Sequence, residues 1–377
     1  MSRGATIMKT KITTIIGTRP EIIRMSEMIK RFDQIFDHKL IHTGQNFDKN
    51  LNEIFFESMN IRRPDVALSL TSLTLANQLS EIFVSVEEDL IKDRPDAVVI
   101  LGDTNSGLSA IIAKRLGIPI YHLEAGNRSF DINVPEEANR KIIDHASDFN
   151  LVYSESSRRN LLNEGMHPRN IALIGSPMKE VIEVNRMKID ASDILNALQI
   201  LEGQFILVSV HRQENINNEV RVNNLFNSLN QIAKVFETPV IVTTHPRTKQ
   251  VIEKSGMIFQ GGVRFLEPFD FYSYCKLQQK SRIVLSDSGS LSEEAAIMGF
   301  KAITLRDSME RPEALETGTV LMSGLDFEAI SEAILVAESS KFAPVPPTEY
   351  EIEDSSERTV RFIVSTLKRH DFWSGKR

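Results

Sequence analysis

The sequence predicts an α/β protein of two Rossmann-like, doubly wound domains facing across a cleft. Three observations carry that expectation. Short β-branched runs alternate with longer amphipathic segments, the βαβα pattern of a buried parallel sheet. The alternation breaks near Gly175-Ser176-Pro177 and then restarts. The 377 residues of the chain also exceed what a single α/β core usually holds.

In the first half, Ile12–Ile16, Lys39–His42, Ala97–Leu101, Ile118–Leu123 and Leu151–Tyr153 read as buried parallel strands. The polar stretch Asn185–Asp193 reads as part of the break. A second sheet then begins, with strands at Phe205–Val210, Pro239–Thr243, Arg264–Leu266, Ile283–Leu285 and Ala302–Leu305. Three prolines in Ala343–Pro347 exclude a helix there. Beyond it, Ser355–Arg369 has helical spacing, with Val360, Ile363, Val364 and Leu367 on one stripe.

Composition narrows the function. Lys and Arg number 44 against 51 Asp and Glu, so the net charge of −7 provides no global field toward nucleic acid or an anionic membrane. An anionic ligand therefore needs a local positive pocket. Cys275, the only cysteine, excludes an intramolecular disulfide framework and a cysteine-rich zinc site and fits the reducing cytoplasm. No stretch approaches the roughly 18 uninterrupted apolar residues of a membrane span, and no secretory core precedes Lys11. Met8 is a second candidate start.

Ligands of open parallel sheets gather at the carboxyl ends of the strands, and four such edges are unusual here. At Gly17-Thr18-Arg19-Pro20, glycine allows a tight turn, proline suits a helix start, and the following amides and helix dipole favour an anion. A plain turn with a solvated Arg19 is the plainer reading. At Gly102-Asp103-Thr104-Asn105-Ser106 the carboxylate is either chemical or a cap for the next helix. Leu123-Glu124-Ala125-Gly126 brings a second carboxylate, followed by Val134-Pro135-Glu136-Glu137-Ala138-Asn139-Arg140. Pro135 suggests a helix start, so Glu136, Asn139 and Arg140 share a face, as site or as surface ion pair. At Leu285-Ser286-Asp287-Ser288-Gly289-Ser290, the amides of Ser288, Gly289 and Ser290 suit a diphosphate, while Ser290 and Glu293 match a capping box. His211 and His245 also follow strands, and Arg212, Arg306 and Arg311 add positive charge. No H-E-x-x-H, G-x-S-x-G, Walker A or G-x-G-x-x-G sequence is present, so neither metal nor cofactor is expected.

Six ordered motifs collect these residues: Gly17-Thr18-Arg19-Pro20-Glu21, Gly102-Asp103-Thr104, Glu124-Ala125-Gly126, Pro135-Glu136-Glu137 with Asn139-Arg140, Asp287-Ser288-Gly289 and Glu310-Arg311-Pro312-Glu313. Together they resemble the non-hydrolysing UDP-N-acetylglucosamine 2-epimerases, over about Ile12 to Leu367. The resemblance implies a GT-B fold, with residues 8–178 as the N-terminal domain, 179–354 as the UDP-binding domain and the helix 355–377 packing back on the first. It also implies a homodimer acting on a UDP-linked amino sugar. Thr43-Gly44-Gln45-Asn46, Gly102-Asp103-Thr104-Asn105-Ser106, Gly126-Asn127-Arg128 with Phe130-Asp131, and Ile143-Asp144-His145 further resemble the subgroup that forms UDP-N-acetyl-L-fucosamine for capsule or O-antigen synthesis. The common glucosamine enzymes have Leu where Asn127 stands, usually Lys at Arg24, and about two more residues before the Pro-Glu-Glu motif.

By this resemblance Asp103, Glu124 and Glu136 are the acid/base carboxylates, with Arg140 and His211 beside them in the catalytic set. Arg19, His211, Arg311 and the amides of Ser288 to Ser290 are expected to hold the departing diphosphate. Arg24 and His245 join the substrate site, Glu294 takes the ribose, and Phe269 and Tyr274 flank the uracil. A hydrolysing relative, a GT-B glycosyltransferase and a non-catalytic nucleotide-sugar sensor are the rival classes.

Overall fold

The computed structural model describes residues 9–45, 55–72, 74–212, 215, 218–244, 248, 252, 262–339 and 341–375. The chain divides into two compact units. One comprises Met1–Arg128, Pro135–Val181 and Ile352–Arg377, and the other Ser129–Val134 and Ile182–Glu351.

The first unit holds a seven-stranded sheet: β1 (Lys11–Ile16), β2 (Asp37–His42), β3 (Val66–Ala67), β4 (Ala97–Leu101), β5 (Ile120–Leu123), β6 (Phe149–Val152) and β7 (Ile171–Leu173). Its order is β3-β2-β1-β4-β5-β6-β7, with every pair parallel. β4 is buried along its whole length, as a strand covered by helices on both faces must be. Ile82, Val86 and Leu90 of helix Leu75–Lys92 and Ile143 of helix Glu136–Ala146 pack on one face, against Ile15, Val98, Ile100 and Ile120. On the other face Tyr121 stacks on Phe149 at 4.7 Å and bonds its hydroxyl to Thr366 Oγ1 at 2.8 Å. Thr366 ends helix Ser355–Thr366, whose first turn is fixed by Glu180 accepting from the Ser356 N–H at 2.9 Å.

The second unit has six parallel strands: β8 (Ile206–Ser209), β9 (Val240–Thr243), β10 (Val263–Leu266), β11 (Ile283–Ser286), β12 (Ala302–Thr304) and β13 (Val320–Met322). The order is β10-β9-β8-β11-β12-β13. Strand alternation sorts its core: Ile206 and Val208 face Leu225, Leu229 and Ile330, whereas Phe205 and Leu207 face Leu277, Leu291 and Ala295. Each fully buried Leu, Ile or Phe contributes about 1.5–3 kcal/mol. Both sheets reverse direction of winding at one point, between β1 and β4 and between β8 and β11, and crevices for ligands form at such points.

The two Rossmann-like sheets match the predicted fold class, but several element readings need correction. The polar stretch from Asn185 does not break the chain, because helix Pro177–Asp190 runs through it. Met178, Val181, Ile182, Asn185 and Ile189 are buried at helical spacing, so the packing face outweighs the polar composition. Val364 is 56% exposed and off the terminal helix's stripe, which Thr359, Val360, Ile363 and Thr366 form. The unpredicted strands β3, β7 and β13 are two or three residues long and lie at sheet edges, where no continuous apolar run is required. No helix among the described residues is long and apolar enough to cross a membrane.

Candidate active site

At the first switch point the loops after β1 and β4 meet over one carboxylate. Glu21 Oε2 accepts from the N–H of Gly17 at 2.9 Å and of Thr18 at 2.6 Å, and Oε1 accepts from Thr104 Oγ1 at 2.9 Å. The amides expected to cradle an external anion are thus taken up by the chain's own Glu21 carboxyl. Burial pushes Glu21 up to about 7 against the four donors of Gly17, Thr18 and Thr104 that lower it. Gly17 has no space for a side chain, since a Cβ would lie 2.0 Å from Ser106 Oγ and 2.3 Å from Thr43 Oγ1. Arg19, the first residue of helix Arg19–Ile35, sits over the Phe55 ring at 5.3 Å.

Beyond Glu21 lie the other carboxylates. Asp103 Oδ2 accepts from Arg140 Nε at 2.7 Å, and Asn139 Nδ2 donates to the Asp103 carbonyl at 2.9 Å. Asp103 is therefore not a helix cap; Thr104 occupies that position before the turn Asn105–Ser109. Nor is Arg140 a surface ion pair. It is buried, and its partner within the helix is Glu137 at 3.0 Å rather than Glu136. Glu136 is the half-buried first residue of that helix. Glu124 stands at φ +65, in the left-handed region, and accepts from Arg24 Nη1 at 2.6 Å and Asn127 Nδ2 at 3.4 Å. Buried Arg24 pairs with Glu124, and buried Arg140 with both Asp103 and Glu137; Asp103, Glu124, Arg24, Glu136 and Arg140 all belong to the first unit's strand ends and adjoining helices.

The second unit repeats the device. The Asp287 carboxylate accepts from the N–H of His211 at 3.1 Å and of Arg212 at 3.0 Å and from Asn215 Nδ2 at 3.0 Å, tying the loop after β8 to that after β11. The half-exposed His211 ring also reaches Asp287, with Nδ1 at 3.4 Å from Oδ1. Under the next residues lies a buried charge cluster in which Arg311 pairs with Glu310 at 3.0 Å and Glu293 at 3.2 Å. Gly289 lies on it: a Cβ would be 2.7 Å from Glu310 Oε1 and 3.3 Å from Arg311 Nη1. The capping-box reading of Ser290 and Glu293 fails, because Ser290 makes no side-chain cap bond and Glu293 turns to Arg311. The Ser288 N–H instead donates to Ser286 Oγ at 3.0 Å, and the Ser288 and Ser290 hydroxyls lie 3.0 Å apart. Glu294 is buried and accepts from Gln278 Nε2 at 2.6 Å. Phe269 and Tyr274 are half-buried against the core of Leu277 and Leu291. His245 lies outside the described residues.

Sequence reasoning gave no role to Glu21, Asp287, His122, Asp144 or Arg128. The signal for His122 is a polar residue inside an otherwise apolar strand, whereas Arg128 carries none beyond the subgroup motif that contains it, although its side chain is fully buried. Their side-chain partners lie 16 to 36 positions away, which spacing does not reveal.

Comparison with known proteins adds an independent line. A family model described as UDP-N-acetylglucosamine 2-epimerase matches residues 29–364. The structure of UDP-N-acetylglucosamine 2-epimerase from Rickettsia bellii superposes with a TM-score of 0.89 at 39% identity, covering 96% of this chain and 98% of that one. That of Methanocaldococcus jannaschii UDP-GlcNAc 2-epimerase in complex with UDP-GlcNAc and UDP gives 0.89 at 32% identity, over 94% and 100% of the two chains. UDP-2,3-diacetamido-2,3-dideoxy-D-glucuronate 2-epimerase of Pseudomonas aeruginosa is 34% identical over 86% of this chain and 91% of its own length.

Proposed function

The chain belongs to the UDP-N-acetylglucosamine 2-epimerase family, and from that premise we propose that it is an isomerase inverting C2 of a UDP-linked N-acetylamino sugar by elimination and re-addition of UDP. Its preferred reaction in this reading is UDP-2-acetamido-2,6-dideoxy-L-talose to UDP-N-acetyl-L-fucosamine. One observation carries the choice of sugar. Arg24 and Asn127, where the chain departs from the glucosamine enzymes, both contact the Glu124 carboxylate. Interconversion of UDP-N-acetylglucosamine and UDP-N-acetylmannosamine is the second reading, favoured by the names of the Rickettsia and Methanocaldococcus enzymes.

The chemistry follows from the acidity of C2. Its proton is not next to a carbonyl carbon of the ring, so direct abstraction near neutral pH fails. Cleavage of the C1–O bond, with the electron pair leaving on UDP, creates an oxocarbenium-like centre that acidifies that proton. A carboxylate removes it, the C1–C2 double bond forms, and a 2-acetamidoglycal remains beside UDP. Addition of the UDP oxygen to C1 and of a proton to the opposite face of C2 completes inversion. Two proton transfers on two faces require at least two acid/base groups, for which Asp103, Glu124 and Glu136 are the candidates. Arg24 pairs with Glu124 at 2.6 Å and Arg140 with Asp103 at 2.7 Å, which fixes where each carboxylate stands.

Charge accumulates on the departing diphosphate, so donors fixed in advance act mostly on the transition state. We assign these to Arg19, His211, Arg311 and the Ser288–Ser290 loop, with Arg311 acting from behind Gly289. Phe269, Tyr274 and Glu294 are assigned to the nucleoside, and His245 to the substrate site. The same reading takes the protein as a cytoplasmic homodimer, which light scattering of the purified chain tests. The deciding experiment incubates the protein with UDP-N-acetylglucosamine and, separately, with the two 6-deoxy-L-sugar nucleotides. Epimeric UDP-sugar supports the proposal, whereas free sugar or transferred sugar identifies a hydrolase or glycosyltransferase instead.

A further inference from the structure

Beneath the carboxylates of the first unit lies a polar network that the mechanism above does not use. His122 on β5 and Asp144 on helix Glu136–Ala146 are each 1% exposed. Nδ1 of His122 lies 2.8 Å from Asp144 Oδ1, and Nε2 lies 2.8 Å from the Gly102 carbonyl. The Gly102 carbonyl can only accept, so His122 Nε2 donates to it. Asp144 also accepts from the N–H of Gly126 at 3.1 Å and from Arg128 Nη1 at 2.7 Å. Arg128 donates in turn to the Asn127 carbonyl at 2.8 Å and holds Glu164 with two bonds of 2.8 and 2.7 Å.

One continuous set of bonds therefore runs from the carbonyl just before Asp103 to the amide two residues beyond Glu124. Glu124 needs such support. Its φ of +65 is rarely adopted by L residues and persists only where neighbours over-determine it. Gly126, at φ +80, is the anchor, and a Cβ there would come within 2.3 Å of the Ser157 carbonyl oxygen. Buried ionic groups are costly unless fully paired, and here the paired set spans both loops.

We propose that His122 and Asp144 are positioning residues that fix the Asp103 and Glu124 loops relative to each other; the inference rests on the epimerase reading. They do not touch the sugar in this scheme. They keep the carboxylates at the separation needed to remove a proton from one face of C2 and return one to the other. Misplacement by about 1 Å costs up to ~10²-fold in rate. When re-addition lags, UDP and the 2-acetamidoglycal leave the site before the C1–O bond re-forms.

The test compares wild type with His122→Gln in the full-length chain, on whichever UDP-sugar the wild type turns over. Glutamine donates to one acceptor but does not reach both. The expected result is a kcat lowered roughly 10- to 100-fold, UDP affinity within about twofold, and more glycal released per epimerised product. That ratio counts only turnovers by folded molecules, so a purely structural defect leaves it unchanged. A folded His122→Gln with wild-type kcat and ratio overturns the inference. Should His122→Gln not fold, Asn160→Ala replaces it, since the Asn160 amide donates to the Gly126 carbonyl at 2.9 Å from a half-buried position. A smaller leak in the same direction supports the proposal, and no leak overturns it. A wild type inert on every UDP-sugar overturns the epimerase reading and this inference together; an active wild type with an unaffected variant overturns the inference alone.

Discussion

Arg140 Nε lies 2.7 Å from the Asp103 carboxylate, joining the end of β4 to a helix 37 positions later. Arg140 occupies Asp103 Oδ2, and in the proposed mechanism proton transfer falls to Oδ1. Asp103→Asn is expected to lower epimerisation by roughly 10²–10⁴, the usual loss when an acid/base group is removed. UDP affinity should stay within a few fold, because the groups assigned to UDP are elsewhere. Steady-state kinetics with titration calorimetry check both, and near-normal turnover would reduce Asp103 to a structural partner of Arg140.

Gly289→Ala probes the second unit. Its new Cβ would lie 2.7 Å from Glu310 Oε1, inside a cluster whose members are 8% exposed or less. Overpacking of this kind costs about 1–3 kcal/mol, and the loop is expected to shift rather than the cluster. UDP binding should weaken by roughly tenfold, with the first unit's stability unchanged. Unaltered UDP affinity by calorimetry would remove the Ser288–Ser290 loop from the diphosphate site.

Glu21 gives a pH signature. Burial raises its carboxyl from 4.5 to about 7, so between those values the folded chain binds more protons than the unfolded one. Its contribution to stability is full below pH 4.5 and is lost as pH rises through 7. Glu21→Gln removes this titration, so the wild-type denaturation midpoint minus that of the variant should fall between pH 5 and pH 8. A difference that stays constant over that range would mean that Glu21 remains ionised throughout.

How far these features were legible in the sequence depends on their range. β4, Ala97–Leu101, is wholly buried and announces itself as an apolar run, whereas Val66–Ala67 is too short to carry any period. The strand-end motifs marked Asp103, Glu124 and Gly289 because glycine and carboxylate at such an edge restrict the readings. Their partners did not show. Arg24 meets Glu124 across 100 positions, and nothing local to either residue encodes that pairing. Local rules also misled where tertiary bonds compete, as when Glu293 leaves the Ser290 cap for Arg311.

The chemistry itself is open to an isotopic test, since elimination and re-addition break both C2–H and C1–O whichever sugar is used. Epimerised product formed in D₂O should carry deuterium at C2, because the carboxylate that accepts the proton exchanges with solvent before another returns one to the opposite face. Separately, ¹⁸O placed in the C1–O–P bridge should scramble into the non-bridging positions of the β-phosphate. Once the bond is broken, those oxygens become rotationally equivalent, and any of them can re-add to C1. Oxidation to a ketone at a neighbouring carbon followed by reduction would also admit deuterium at C2 but would leave the bridging oxygen in place. The oxygen label is therefore the discriminating one. Mass spectrometry and the ¹⁸O-induced shift of the ³¹P resonance read it directly, and a label that stays in the bridge while epimerisation proceeds normally would sink the elimination mechanism.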